Sequence, residues 1–340
     1  MELLMTRGVS WAVAVGMILS GCAPSHPIGS GIAIRPGLQT GPHDVVLNGV
    51  RHWYRVAGAA PADAPPVLFL HGGPGQGSLH FAELLGPKLE PSLRMIYFDQ
   101  RGAGRSDRPA DGEYSIPLMV EDIEQLRQSL RVPQIALIGQ SFGGTLALEY
   151  AARYPEHVSR LVFVAGLWDT PLQCRLRLKT LAERRPDGYR RVRADTLRPD
   201  GTRISDCELE MRGAGGGLAW DEYSNEAMYP VSSVRTRIET VEAAHGYRNT
   251  GEVGGALFRS GLLDYRFTNP ERLTMPVLII AGGRDGAARP EGLRELADRL
   301  SHATFLEYER SGHFLYVDDP DRFAADVIDF LTPAGRHRRR

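Results

Sequence analysis

The chain has 340 residues, of which 42% are hydrophobic and 24% charged, and its formal net charge is −1. A chain of this length can bury a large hydrophobic core. Nothing in a net charge so close to zero points to nucleic acid or to a strongly charged partner, so we expect no nucleic-acid partner. We predict one α/β domain that carries an inserted segment.

The first 22 residues are predicted to be a targeting signal. Arg7 precedes an apolar run over residues 9–19, which has signal-peptide length and is short for a membrane span. Leu19-Ser20-Gly21-Cys22 resembles the lipobox of bacterial lipoproteins, whose cysteine is acylated and becomes the first residue after cleavage. We therefore expect lipidation of Cys22 and a membrane-anchored protein of the bacterial cell envelope, facing the periplasm or exterior. An uncleaved anchor or a plain secretory signal is the alternative.

Residues 23–42, rich in Pro, Gly and Ser, are predicted to be a flexible tether. Beyond them the chain alternates apolar runs with helical patterns, which is typical of an α/β domain. Strands are predicted over residues 67–70, 135–138, 161–165, 277–281 and 303–308. Helices are predicted over residues 144–153, 290–300 and 321–331. The core is assigned to 43–167 and 270–334, a mainly helical lid with weak strand character to 168–269, and a basic tail to 335–340.

The most informative catalytic pattern is Gly139-Gln140-Ser141-Phe142-Gly143, between a predicted strand and a predicted helix. A Gly-x-Ser-x-Gly sequence in this setting is typical of a nucleophile elbow, in which a sharp turn exposes the serine hydroxyl above the sheet. Ser141 is therefore the candidate nucleophile. Without the strand–turn–helix context the pattern would indicate only a glycine-rich turn.

A nucleophilic serine needs a base and a group that orients it, and in this architecture the chain order is Ser, acid, His. Asp285 follows the apolar run 277–281, where an orienting carboxylate is expected. His313 follows the strand 303–308 and is the candidate base. Five other residues have less suitable positions: His245, His302, Asp264, Asp318 and Asp319.

Donors for the oxyanion are expected from two backbone N–H groups. Val67–Leu70 runs into His71-Gly72-Gly73-Pro74-Gly75, and such a loop supplies one donor. The residue after the nucleophile supplies the other. Gly73 and Phe142 are the candidates.

Two cysteines, Cys174 and Cys207, lie in the predicted lid. In an oxidising compartment they can form a disulfide, but their spacing does not establish it. Two inert thiols are the alternative.

At these motifs the chain resembles the prolyl iminopeptidase family of the α/β-hydrolase fold, over residues 43–167 and 270–332. The resemblance extends to Asp99-Gln-Arg-Gly-Ala-Gly-Arg-Ser106, which follows the strand Met95–Phe98, and to a helix over residues 122–127. It implies a mostly parallel sheet flanked by helices with an inserted lid. It also implies a serine hydrolase of the peptidase or esterase type that needs no metal or cofactor and acts on a small molecule or short peptide.

The chain departs from that family at two places that bear on specificity. The elbow of the peptidases reads Gly-Gly-Ser-Trp-Gly, whereas this chain has Gln140 and Phe142. A lid glutamate of the peptidases grips the free α-amino group of the substrate, and Ser224 stands at its place here. Asp221, Glu222 or Glu226 is the possible replacement, with surface carboxylates as the alternative.

The leading hypothesis is hydrolysis of an amide or ester through an acyl-enzyme formed on Ser141. Aminopeptidase and small-ester carboxylesterase activity remain near parity. Two alternatives of another class are a non-hydrolytic binding protein and an acyltransferase or cyclase on the same scaffold. An intact set of Ser141, Asp285 and His313 argues against the binding protein, because binding does not require all three.

Overall fold

A central β-sheet organises the fold. The computed structural model describes residues 38–60, 64–193, 196–198, 200–214, 226, 228–247, 249 and 251–332. Within these residues the sheet has eight strands in the order β1-β2-β4-β3-β5-β6-β7-β8. The strands are β1 Gly41–Leu47, β2 Val50–Ala57, β3 Val67–Leu70, β4 Met95–Phe98, β5 Ile135–Gln140, β6 Val158–Val164, β7 Val277–Gly282 and β8 Ala303–Tyr308.

The first two strands form an antiparallel hairpin at one edge of the sheet. Its turn is Asn48-Gly49, and both residues have positive φ, 45° and 78°. Asn-Gly is the preferred pair for such a two-residue turn. Because β1 begins at Gly41, the predicted tether over residues 23–42 extends two residues too far. The rest of that tether up to residue 37, the signal segment and Cys22 lie outside the described residues.

The six remaining strands are parallel to one another. Strands β3, β5 and β7 are buried along their whole length, as is typical of a sheet covered on both faces. The carboxyl ends of these parallel strands meet at one edge. The loops after β3, β5, β7 and β8, which carry the sequence-predicted catalytic groups, therefore lie at that edge.

Helices flank the sheet and form the insertion. They are α1 Leu79–Leu84, α2 Gly86–Leu89, α3 Ile116–Leu130, α4 Phe142–Arg153, α5 Thr170–Arg184, α6 Pro186–Val192, α7 Asp206–Ala214, α8 Ser232–Ala244, α9 Glu252–Arg259, α10 Pro290–Asp298, α11 Leu315–Asp318 and α12 Pro320–Leu331. Short 3-10 helices lie at Pro155–His157, Leu262–Asp264 and Pro270–Arg272. Among the described residues, none of the helices has the length and apolar character needed to cross a membrane.

The two ends of the insertion pair with each other at its base. The N–H of Phe267 donates to the carbonyl of Trp168 at 2.7 Å, and the N–H of Thr170 donates to the carbonyl of Tyr265 at 2.9 Å. Asp169 caps helix α5 by accepting a hydrogen bond from the N–H of Leu172 at 2.7 Å. The start of α5 is therefore held against the core directly after strand β6.

Candidate active site

Ser141 lies in a strained turn between strand β5 and helix α4. Its φ is 53° and its ψ is −122°, which is unusual for a residue with a side chain. Close packing requires glycine at the positions two residues before and two residues after Ser141. A Cβ at Gly139 would lie 2.6 Å from the carbonyl oxygen of Gly143, and a Cβ at Gly143 would collide with the carbonyl oxygen of Leu70. The backbone makes the sharp strand–turn–helix transition that the Gly-x-Ser-x-Gly sequence predicts.

Asp285 and His313 are joined by a hydrogen bond at the same edge of the sheet. His313 Nδ1 lies 2.9 Å from Asp285 Oδ2, and both side chains are buried. The other carboxylate oxygen, Oδ1, accepts hydrogen bonds from the N–H groups of Ala287 at 2.8 Å and Ala288 at 2.9 Å. Because the Asp285 carboxylate accepts a hydrogen bond from Nδ1–H of His313, Nε2 is the ring nitrogen available to accept a proton.

The His313 loop has two further contacts that sequence reasoning did not identify. Asp318 Oδ2 accepts a hydrogen bond from the N–H of Gly312 at 2.7 Å. The carbonyl of Met228, in the insertion, accepts one from the N–H of His313 at 3.3 Å. Asp318 was considered only as a competing triad acid. In the structure it supports the loop that carries His313.

The glycine-rich loop after β3 lies directly beside Ser141. A Cβ at Gly72 would lie 2.8 Å from the Cβ of Ser141. Gly73 and Phe142, the predicted oxyanion donors, both line the cavity that contains Ser141. Phe142 is the first residue of helix α4, and N–H groups of a first helical turn have no acceptor within the helix.

His71, at the start of this loop, is buried and uncharged at neutral pH. Burial lowers the pKa of His71 to about 4. Its Nε2 accepts a hydrogen bond from the N–H of Gln100 at 3.1 Å, and its Nδ1 lies 2.9 Å from the carbonyl oxygen of Gly72. The ring therefore connects the glycine-rich loop to the loop after β4.

A cavity of about 250 Å³ is lined by two of the three predicted triad residues, Ser141 and His313, and by both predicted oxyanion donors. Ser141, His313, Gly73 and Phe142 all line it, and the backbone of Asp285 leads into Ala287 and Ala288 on its wall. Apolar side chains form much of the rest: Pro74, Ala165, Leu167, Phe258, Leu262 and Leu263. Such a lining suits an apolar acyl or leaving group.

Two helices of the insertion supply the polar part of the wall, which sequence reasoning did not identify. Thr170, Cys174 and Arg177 lie along one face of α5, and Cys207 and Glu210 come from α7. A disulfide joins Cys174 to Cys207, with 5.0 Å between the Cα atoms. Of the two states considered for these cysteines, the structure therefore has the bonded one.

Arg177 and Glu210 form a two-point ion pair beside the disulfide. Arg177 Nε lies 2.5 Å from Glu210 Oε1, and Nη2 lies 2.8 Å from Oε2. Arg177 Nη1 also donates to the carbonyl of Ala287 at 2.7 Å. The carboxylate that lines the cavity is thus already paired with a guanidinium.

Of the two predicted substrate-binding glutamates, the structure describes Glu226 and does not place it at the cavity. Glu226 is exposed and pairs with Arg185 at 3.0 Å, and it is not among the described residues that line the cavity. For Glu226 the surface-carboxylate alternative is the better one. Glu222 lies outside the described residues.

Comparison with known proteins identifies a family and named relatives. The sequence pattern of the α/β-hydrolase fold family matches residues 65–320. A proline iminopeptidase of Thermoplasma volcanium is 31% identical over 289 residues, which cover 84% of this chain and 95% of that protein. A putative 2-succinyl-6-hydroxy-2,4-cyclohexadiene-1-carboxylate synthase of Bacillus subtilis is 30% identical over 291 residues, covering 84% and 97%.

Solved structures share the same architecture. The crystal structure of a proline iminopeptidase-related protein of Thermus thermophilus superposes with a TM-score of 0.70 at 25% sequence identity. The match covers 86% of this chain and 97% of that one. The similarity therefore extends over most of both chains.

Proposed function

Because this chain belongs to the α/β-hydrolase fold family, as a hydrolase similar to the proline iminopeptidases, we propose that it cleaves amide or ester bonds with Ser141 as the nucleophile. His313 is the proposed base and Asp285 the group that orients it. The observation that carries this proposal is the 2.9 Å hydrogen bond between His313 and Asp285, on the cavity that Ser141 lines.

The proposed reaction has two halves. His313 takes the proton from the Ser141 hydroxyl as its oxygen attacks the carbonyl carbon, and the N–H groups of Gly73 and Phe142 stabilise the oxyanion. Protonated His313 then donates to the leaving group, and an acyl-enzyme remains. Water, deprotonated by His313, releases the acyl group and regenerates Ser141.

Labelling of the nucleophile tests the assignment. A fluorophosphonate probe should label the wild type, and Ser141→Ala should remove the label and lower kcat by about 10⁴-fold or more. Ser159→Ala is the matched control because the hydroxyl of Ser159 bonds to the carbonyl of Ile135, away from the cavity lining. Equal labelling of wild type and Ser141→Ala would contradict the proposal.

We further propose that a free α-amino group on the substrate is only modestly preferred. An ammonium buried without a carboxylate partner costs several kcal/mol, and Glu210 is already paired with Arg177. The test compares kcat/KM for alanyl-naphthylamide with that of the N-acetylated compound. A preference above about 10³-fold would show a dedicated amine site, and its loss in Glu222→Gln would then identify Glu222 as that site.

A non-hydrolytic reaction of the same scaffold is the second candidate. It is favoured by the 30% identity to the putative synthase of Bacillus subtilis. Incorporation of ¹⁸O from labelled water into the carboxylate product separates the two, because hydrolysis places one water oxygen in that product. Turnover without incorporation would favour the second candidate.

A further inference from the structure

One buried hydroxyl in the wall of the cavity has no hydrogen-bond partner in the part of the chain that the structure describes. Thr170 is the first residue of helix α5 and is 3% exposed. Its N–H donates to the carbonyl of Tyr265, but its Oγ1 has no partner among the described residues. Buried hydroxyls are normally hydrogen-bonded, and leaving one unpaired costs about 1–3 kcal/mol. Because Thr170 lines the cavity, a group that enters the cavity is one source of such a partner.

Thr170 shares its cavity with the proposed catalytic residues. Ser141 and His313 line the same space of about 250 Å³. Thr170 is followed at helical spacing by Cys174 and Arg177, which also line the cavity, so one face of α5 is turned towards it. A substrate held at Ser141 therefore reaches this wall with one of its substituents.

The charges on that wall indicate what kind of substituent fits. The ionisable side chains among the described lining residues are His313, Arg177 and Glu210. Arg177 and Glu210 form a two-point ion pair. An ammonium would have to compete with Arg177 for Glu210, and a carboxylate would have to compete with Glu210 for Arg177. A neutral hydrogen-bonding group avoids both costs and satisfies the hydroxyl of Thr170.

We propose that Thr170 is a specificity-determining residue that hydrogen-bonds a neutral polar substituent of the substrate, such as an ether, carbonyl or hydroxyl oxygen near the scissile bond. This inference rests on the proposed function, because it names the substrate class of the same site. The remainder of the substituent packs against the apolar lining. The preferred substrates are then oxygen-bearing acyl compounds rather than plain alkanoates of the same length.

Two pairs of p-nitrophenyl esters with equal numbers of heavy atoms test the proposal. The pairs are methoxyacetate with butanoate and 3-methoxypropanoate with pentanoate, so the oxygen occupies two positions. For each pair, kcat/KM of the methoxy ester is divided by kcat/KM of the plain alkanoate. Comparing this ratio between wild type and variants cancels the intrinsic reactivity of the esters. Thr170→Val should lower the ratio for at least one pair by roughly 3- to 10-fold, the effect of one neutral hydrogen bond.

Two controls separate loss of the hydroxyl from loss of packing. Thr170→Ser keeps the hydroxyl and should keep the wild-type ratio. Thr180→Val removes a hydroxyl from the same helix, one that bonds to the carbonyl of Leu176 outside the cavity lining, and should leave the ratio unchanged. Thr170→Ala provides a second hydroxyl-free variant should the valine impair folding.

The failures of the two proposals are distinguishable. Unchanged ratios for both pairs in Thr170→Val and Thr170→Ala, with Ser141-dependent hydrolysis intact, would overturn the role of Thr170 alone. An equal loss for the oxygen-bearing and plain esters would also overturn it, because packing rather than a hydrogen bond would then be responsible. Ser141-dependent hydrolysis of the naphthylamides but of none of the esters would overturn the role of Thr170 alone. Absence of Ser141-dependent hydrolysis of the esters and of the naphthylamides would overturn both proposals.

Discussion

At the scale of single residues, Asp285 is held through both carboxylate oxygens. Oδ1 accepts two backbone N–H groups from its own loop, and Oδ2 faces His313. The carboxylate therefore cannot rotate without breaking three hydrogen bonds. This arrangement holds the imidazole in one orientation and offsets its charge when it takes a proton.

Asp285→Asn should lower kcat by about 10⁴-fold with little effect on folding. The amide oxygen can still accept from Ala287 and Ala288, which turns the NH₂ group towards His313 and forces the other tautomer of the ring. Steady-state kinetics and thermal unfolding measure the two effects. Asp264→Asn, at an exposed position, is the control, and similar kinetics for both variants would contradict the role of Asp285.

His71 should make the protein less stable in weak acid. Burial lowers its pKa to about 4 from an ordinary value of 6.5. Between these pH values the unfolded chain binds the proton and the folded protein does not, so stability falls as pH decreases from 6.5 to 4. The loss should reach about 3 kcal/mol, at about 1.4 kcal/mol for each pH unit of the shift.

The test of this prediction is the free energy of unfolding in urea at pH 6.5 and pH 4. His71→Gln cannot titrate and should lose about 3 kcal/mol less than the wild type over that window. His302→Gln removes an exposed histidine and should behave as the wild type. Parallel behaviour of all three proteins would mean that the folded protein binds the proton at His71 as readily as the unfolded chain.

At the scale of elements, the insertion is hydrogen-bonded to three loops that carry proposed catalytic groups. The contacts are Arg177 Nη1 to the carbonyl of Ala287 at 2.7 Å, His313 N–H to the carbonyl of Met228 at 3.3 Å, and Asn249 Nδ2 to the carbonyl of Pro74 at 3.1 Å. The described part of the insertion thus forms the wall of the cavity and also supports the loops beneath it. Changes in the insertion should therefore affect turnover as well as substrate binding.

Removal of the disulfide tests the contribution of helices α5 and α7. The bond closes a segment of 33 residues, and loop entropy predicts a loss of about 3–4 kcal/mol from the free energy of unfolding when it is absent. Cys174→Ala with Cys207→Ala should show this loss in urea denaturation, together with faster proteolysis of the insertion and a lower kcat. Dithiothreitol should destabilise the wild type but not the double variant. A double variant as stable as the wild type would show that packing alone holds the two helices together.

At the scale of the whole molecule, the core and the N-terminal segment are predicted to have different roles. The described residues belong to one compact unit, Pro36–Arg340. The first 22 residues carry the lipobox-like sequence that ends at Cys22. Attachment to a membrane through that cysteine stays a prediction. The disulfide in the insertion is consistent with an oxidising compartment such as the bacterial envelope.

Fractionation of a bacterial host that expresses the full chain tests the anchor. The wild type should be found in the membrane fraction, and Cys22→Ser should move it to the soluble fraction, since the acyl chains are the expected attachment. Ser20→Ala is a matched control because it retains the cysteine. A soluble wild type whose mature N-terminus is not residue 22 would contradict lipidation.

The sequence alone was sufficient to predict the features that depend on a local pattern of residues. Ser141 and Asp285 each follow an apolar run of strand length and His313 follows a short predicted strand, and the carboxyl ends of parallel strands meet at one edge of a sheet. The Asn48-Gly49 hairpin also had a local signal, although it was not used to predict strands β1 and β2. The resemblance to the prolyl iminopeptidases was sufficient to predict the α/β-hydrolase fold.

The tertiary structure decided which residues of the insertion reach the cavity. Glu226, a candidate from its position in the sequence, is an exposed partner of Arg185, whereas Glu210 and Thr170 line the cavity and had no sequence signal. Short motifs report backbone turns and strand ends, which neighbouring residues determine. The cavity wall depends on how α5 and α7 pack against each other and against the Asp285 loop, and Arg177 is 110 residues from its partner Ala287. Contacts across such separations arise from packing and cannot be read from local pattern.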